Sequence, residues 1–449
     1  MKRKLFLFLT VFVVALTFSL ASCDKTPALS GEDADESVPA DSVGLAFELK
    51  DDGTYEVVGI GDCTDKDIAI PATYEGKSVT SIGTDAFEDS EITSVFFPKS
   101  VNEIGHAFEG CKSLERVRFA KDSHLSIIFS RAFSGCEKLQ AITLPKGLSI
   151  IGRGAFEECG LTSIEIPASV SQIGRFTFAD CKNLTTVTIP SDSTAYIEED
   201  PFVGCDSLRF NTFGNAKYLG NDENPYVALI KTTSDSITEL EVHPNTKIIR
   251  SGIFDECEGL RFTTYDNASY LGTANNAHFA LIKANAGSIT SCEIHPDTKL
   301  IGSGAFHYCR ELESIVIPEG VTHIGGAAFF SSSVKSVSVP SSVCCIGGEA
   351  FAYCRELESV TIPAGVKYIG GETFITCKKL SAITIPSSVE FIGPYAFCND
   401  EGISSLVLSE GLTRIDMYAF ACCDALTSVT VPASVTFIEG NAFPEGIIG

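Results

Sequence analysis

The chain has 449 residues and a formal net charge of -25, from 33 Lys and Arg against 58 Asp and Glu. That balance argues against nucleic acid and anionic lipid surfaces as partners, since both would be approached against Coulomb repulsion. At 44% hydrophobic residues it can bury a large core, and 31 Phe beside no Trp hints that one phenylalanine position is being copied.

The N-terminal segment reads as a signal peptide over residues 1–22. Lys2, Arg3 and Lys4 are basic, Leu5 to Leu20 is almost wholly apolar, and small residues follow. Leu20-Ala21-Ser22-Cys23 resembles the bacterial lipobox, which implies cleavage before Cys23 and a lipid on its thiol. No other apolar run is long enough to span a bilayer. The expected location is therefore the bacterial cell envelope, at the outer membrane or cell surface, with the lipid anchor as the sole membrane contact. Residues 23–43 comprise the lipidated cysteine and an acidic tether rich in Ser, Ala and Pro, expected to be disordered.

Residues 44–80 are the expected N-terminal cap. Leu45–Leu49 and Tyr55–Ile60 flank Asp51-Asp52-Gly53, a hairpin signal. A solenoid needs such an atypical first unit to cover its open core.

Residues 81–449 form a repeat array, the feature that decides the fold. The shared pattern is C-x-x-L-x-x-V/I-x-I-P-x-x-V-x-x-I-G-x-x-A/T-F-x-x. Its anchor phenylalanines run from Phe87 through Phe108, Phe133, Phe156 and Phe178 to Phe202. After Phe254 they resume at Phe306 and continue to Phe443. Most gaps are 21 to 25 residues, and two, either side of Phe254, are 52. Within one copy, Thr186 to Ile189 alternates polar and apolar, the period of a strand. Pro190 ends it, because proline cannot donate to a ladder. The Ala-Phe-x-x-Cys piece is expected to be one helical turn. A single copy cannot bury its core, so copies must stack. The predicted fold is a mainly β leucine-rich-repeat solenoid, a curved right-handed superhelix. It would carry a parallel β-sheet on one face and turns and short helical pieces on the other.

Ten cysteines lie three residues after an anchor phenylalanine, in a slot that holds Ser90, Ser332 and Asp400 in other copies. A slot accepting Cys, Ser or Asp reads as a hydrogen-bonding ladder of buried thiols. Parallel Cβ vectors in stacked coils oppose the near-perpendicular dihedral of a disulfide. Cys344-Cys345 and Cys422-Cys423, the second of which ends in a slot cysteine, are adjacent pairs with no assigned role as pairs. The two 52-residue modules, at about 203–306, copy one another: Tyr218-Leu219-Gly220 matches Tyr270-Leu271-Gly272, and Glu241-Val242-His243-Pro244 matches Glu293-Ile294-His295-Pro296. Each reads as two coils with a hairpin-like excursion.

Leu357 to Cys377 carries the whole signature, with Thr373 for Ala. On it, the chain resembles the BspA-like leucine-rich-repeat family of bacterial surface lipoproteins over residues 44 to 449. The resemblance implies a cell-surface protein, and adhesion to host matrix glycoproteins is known among its members. It supplies no fixed ligand motif.

No catalytic, cofactor or metal constellation is expected. The seven histidines lack metal-ligand spacing, and no G-x-S-x-G elbow occurs. Acidic pairs such as Glu198-Glu199 read as solvated turns. Candidate ligand-binding residues are of two kinds. Phe96, Arg116 and Arg118 lie side by side on outward strand positions, and aromatic and Arg side chains anchor interfaces. Tyr218, Tyr226 and Tyr270 are expected to project from the excursions. The reading is a non-enzymatic adhesin that recognises an extracellular protein or glycoprotein. The alternatives are a glycan-capture protein for nutrient uptake and a structural spacer.

Overall fold

The computed structural model describes residues 38–439 and 441–448. The expected signal peptide, Cys23 and most of the tether lie outside the described residues. Contacts gather Pro39 to Gly449 into one compact unit. The tether's last residues belong to that unit: the Ser42 amide donates to the Ala69 carbonyl at 2.9 Å, and Ser42 Oγ accepts from the Ala69 amide.

The array is a β-solenoid of about 17 turns with no helices among the described residues; none is long and apolar enough to cross a membrane. Most coils contribute two strands rather than one. The L-x-x-V-x-I segments form an outer ladder, as where Ser163–Glu165 pairs in parallel with Thr186–Thr188, and Ser314–Val316 with Ser336–Ser338. The V-x-x-I-G segments form a second ladder of two-residue strands. Ile127–Ile128, Ile150–Ile151, Gln172–Ile173 and Tyr196–Ile197 follow one another in it. In these four strands the second residue enters its own coil's core: Ile128, Ile151, Ile173 and Ile197 are all fully buried. At the N-terminus, Ala46–Leu49 and Tyr55–Gly59 form the antiparallel hairpin that the Asp-Gly signal requires, and Tyr55–Gly59 then pairs with Lys77–Ile82 in parallel.

The expected helical turn around each anchor phenylalanine is instead a stacked turn. In most coils the residues two before and two after the ring are left-handed, such as Glu349 and Tyr353 (both φ 58°) about Phe351. A helix would spend its amides internally. This reversal aims them at the adjoining coil, so Phe133 N–H reaches Ala155 O at 2.8 Å and Phe351 N–H reaches Thr373 O at 2.9 Å. The left-handed conformation costs an L-residue roughly 1–2 kcal/mol, and the inter-coil bonds offset it.

The rings stack along the solenoid. Phe87 to Phe202 are spaced 5.0–5.7 Å with planes 3–6° apart, and Phe306 to Phe443 are spaced 5.0–5.4 Å. That spacing follows the strand separation of the ladders. The cysteine three residues on donates its thiol to the phenylalanine carbonyl of the preceding coil, as from Cys111 to Phe87 at 2.9 Å and from Cys354 to Phe329 at 3.0 Å. Serine in the same slot joins in: Ser90 Oγ lies 3.3 Å from Cys111 Sγ. Burial pushes the Cys354 thiol up to about 11, which keeps it protonated and unreactive.

The 52-residue modules each insert a three-stranded antiparallel meander. The first is Asn211–Phe213, Ala216–Leu219 and Ala228–Thr232; the second is Thr263–Tyr265, Ala268–Thr273 and Asn276–Ala284. Between them they turn the array. The coils before residue 202 and those after residue 300 pack against each other through the V-x-x-I-G ladder. Gln172 Nε2 donates to Glu349 at 2.8 Å, the Gly371 amide to Ser171 Oγ at 2.9 Å, and Arg414 to the His124 carbonyl at 2.5 Å. Ile127 and Ile150 of the first run form a cluster with Met417 of the second. Here lies the reason the first residue of each short strand is apolar or shielded. In an open solenoid those side chains would face water; in this one the opposite run covers them.

Two glycines in a row allow that approach. Gly325-Gly326, Gly347-Gly348 and Gly370-Gly371 occur only in the second run. A Cβ on Gly348 would sit 2.7 Å from the Ser171 carbonyl, and one on Gly371 would sit 2.9 Å from Ile150.

Candidate binding surface

Because the two runs cover each other's short-strand ladder, the outer ladder is the sheet surface left to solvent. Ser163, Glu165, Thr186, Ser314, Ser336, Ser338, Ala382 and Thr384 are exposed along it. Threonine and serine suit exposed strands. Two residues break the polar carpet, Val316 at 75% exposure and Val407 at 50%. In the coil of Ala141 and Thr143 the corresponding segment is irregular.

The N-terminal end of the outer ladder is chemically distinct. Asp67–Ala69, Ser94–Phe97 and Arg116–Phe119 pair in parallel, which puts Ala69, Phe96 and Arg118 in one cross-strand row and Asp67, Ser94 and Arg116 in the next. The Arg118 guanidinium lies over the half-buried Phe96 ring, 5.9 Å from its centroid. Arg116 is exposed, with Asp67 at 3.9 Å. Asp67 accepts from Ser94 Oγ at 2.6 Å and Thr93 Oγ1 at 3.0 Å, and these bonds hold its carboxyl below the usual range. The structure thus brings together the first expected trio. A solvent-screened pair such as Arg116–Asp67 is weak, so Arg116 remains available to a partner.

The second expected trio does not form a surface. Tyr218 and Tyr270 are fully buried, and each hydroxyl accepts a backbone amide, from His243 at 3.1 Å and His295 at 3.2 Å. Their strands face inward because the meander closes over the coil, so these two tyrosines are core residues and not ligand contacts. Tyr226 is partly buried and stacked on His243 at 3.9 Å. In the second module His278 occupies that place, stacked on His295 at 3.8 Å.

The first module does shape a polar groove, which the sequence reading missed. The outer ladder bridges from Thr188 to Gly220, and the loop after Gly220 rises beside it. The groove holds about 890 Å³ and is lined by Thr186, Thr188, Asp192, Arg209, Asn211, Asn221, Asp222 and Glu223 among others. Asn221 braces the wall: its Oδ1 accepts the Glu223 and Asn224 amides, and its Nδ2 donates to Ser191. The only signal the sequence offers for it is the polar Asn-Asp-Glu-Asn-Pro run at 221–225.

Stacked coils of 21–25 residues with two parallel ladders, a phenylalanine stack and an exposed sheet define a leucine-rich-repeat solenoid. The family model for the BspA type leucine rich repeat region matches in six copies over residues 63–185, 106–223, 232–358 and 327–446, and the chain belongs to that family. Among solved structures it is similar to a leucine-rich repeat protein from Bacteroides ovatus, at 25% identity over 89% of this chain and 98% of that one, with a TM-score of 0.35. It is similar to a leucine rich cell surface protein from Faecalibacterium prausnitzii at 25% identity over 90% and 95%, with a TM-score of 0.35. The leucine rich repeat protein of T. pallidum is 31% identical over 37% of this chain and 77% of its own, with a TM-score of 0.34. No curated protein matches the chain.

Proposed function

We propose that this chain is a non-enzymatic adhesin, lipid-anchored through Cys23 at the cell surface, that recognises an extracellular glycoprotein through its outer sheet. The observation that carries the reading is the Phe96–Arg118 pair with Arg116 beside it on a face otherwise made mostly of Ser and Thr. An apolar ring capped by a guanidinium offers both buried area and directed hydrogen bonding, the combination found at interface anchors. On a chain of net charge -25, a local arginine pair favours acidic side chains on the partner.

A second reading, glycan capture, has one specific support, the groove at the first module. Its lining of Asn, Asp, Thr and Arg side chains suits a hydroxyl-rich ligand. Burial of Tyr218 and Tyr270 removes the stacking platforms that the aromatic version of this reading needed.

The test is binding of the compact unit, residues 39–449, to immobilised matrix glycoproteins before and after enzymatic removal of their glycans. Binding that survives deglycosylation supports the adhesin. Binding lost with the glycans favours the groove, and silence across the panel counts against both.

A further inference from the structure

Three departures from the repeat converge at one point. Among the short strands named above, the first position is taken by Ile127, Ile150, Gln172 and Tyr196; at His323 and Cys345 it is taken by metal-ligating side chains. The strands His323–Ile324 and Cys345–Ile346 are neighbours in parallel register, with His323 directly opposite Cys345. Cys344 precedes Cys345, and neither belongs to the slot that binds the phenylalanine carbonyls. One imidazole nitrogen and the two sulfurs lie within 4.8 Å of one another, and the sulfurs are 3.5 Å apart.

We propose that His323, Cys344 and Cys345 form a binding site for a soft, thiophilic divalent cation, with zinc(II) as the representative ion. Two thiolates bound at ~2.3 Å in a tetrahedral site stand roughly 3.8 Å apart, so the sulfurs need move by only a few tenths of an ångström. The imidazole has a defined tautomer. Thr322 Oγ1 donates its proton to the Lys299 carbonyl at 3.1 Å, so it accepts from His323 Nδ1 at 2.8 Å, and the lone pair falls on Nε2. Such an outer hydrogen bond is how ligating histidines are fixed in tautomer and direction. A void of about 10 Å³ borders His323 and Cys345, room for one atom the size of water.

Binding would proceed with loss of both thiol protons: a divalent cation and two thiols give a neutral bis-thiolate centre and two released protons. Cys344 is exposed, so the fourth position opens to solvent and a water or an outside donor completes the tetrahedron. The site also has a mechanical role. Ser193, Thr194 and Ala195 of the first run border the same void, so a bound ion would fix two coils of the second run where the first run leans on them.

The experiment uses reduced, metal-stripped protein of residues 39–449. Zinc(II) is titrated against a chromophoric chelator, and cobalt(II) is added separately to read thiolate-to-metal charge transfer in the near ultraviolet. Alkylation and intact mass first establish that Cys344 and Cys345 are thiols. The expected result is about one tightly held zinc ion per chain, released with protons as pH falls. Affinity should fall roughly 100-fold or more in Cys344→Ser, Cys345→Ser and His323→Asn. Cys422→Ser, which removes the other exposed thiol, should leave it unchanged. Cys344→Ser alters an exposed side chain, so its loss of binding cannot be ascribed to unfolding. Absence of zinc binding in the reduced wild type would overturn the proposal. So would undiminished binding in Cys344→Ser, or a Cys344–Cys345 disulfide that persists under reductant.

Discussion

Gly348→Ala tests the packing of the two runs at its tightest point. The new Cβ would lie 2.7 Å from the Ser171 carbonyl oxygen, against 3.4 Å for an ordinary contact, so the runs must separate locally by 0.7 Å. That shift stretches the Gln172–Glu349 bond from 2.8 Å and the Gly371–Ser171 bond from 2.9 Å to the limit of hydrogen bonding. Overpacking costs ~1–3 kcal/mol and each of the two weakened bonds ~1 kcal/mol, so the local penalty is roughly 3–5 kcal/mol. A stacked array need not unfold as one unit, so the assay is hydrogen exchange at the Gly371 amide, which Ser171 protects. Its exchange should quicken by at least ~100-fold. Gly287→Ala is the control, since its nearest neighbour would be 3.6 Å away. Equal Gly371 exchange in both variants would refute the close approach.

The remaining expectations concern core, charge and pH. Phe351→Ala removes a ring stacked 5.1 Å from Phe329 and 5.4 Å from Phe374; it should cost ~3–5 kcal/mol, seen as a lowered urea midpoint. Arg414 lies over Phe437 at 5.1 Å and pairs with the buried Asp416 at 2.7 Å. Arg414→Ala strands that carboxyl and should cost ~3–5 kcal/mol, whereas Lys138→Ala, at an exposed pair with Glu115, should cost little. Burial, with Glu372 and Glu198 nearby, pushes Glu349 up to about 8. The folded state therefore keeps a proton that the unfolded chain loses near its ordinary value. The Glu349 contribution is fully present in acid, below the unfolded value, and is lost as pH rises through about 8. Glu349→Gln should flatten that part of the stability–pH curve; an unchanged slope would contradict the assignment.

Much of the fold was legible because the repeat is a physical necessity. A ring that stacks on its copies must recur at the coil period, and so must the thiol that binds the preceding coil's carbonyl. The doubled module was equally plain from Tyr218 and Tyr270. What the pattern concealed was direction. Tyr218 and Tyr270 sit in an insertion with no repeat register to say which way they face, and they face in. The packing of the two runs was hidden because it rests on positions where the repeat varies, namely His124, Gln172, Tyr196 and Arg414, and on glycine doublets that look like ordinary turn glycines. The helical expectation failed at residues such as Glu349 and Tyr353, whose left-handed backbone no side-chain preference announces. At the candidate surface, Phe96, Arg116 and Arg118 were found because strand alternation fixes which residues point outward. The groove was missed because it is made by a loop folding over a distant strand.

The most direct test of the proposed function compares wild type with a Phe96→Ala, Arg116→Ala, Arg118→Ala triple variant. Binding of each to the same glycoprotein surface is measured, with Asp192→Ala, Asn221→Ala as the groove control. Removing an aromatic–arginine anchor should cost more than ~2 kcal/mol, or over ~30-fold in affinity, while the groove variant binds as wild type. Undiminished binding by the triple variant would contradict the assignment of this patch as the contact.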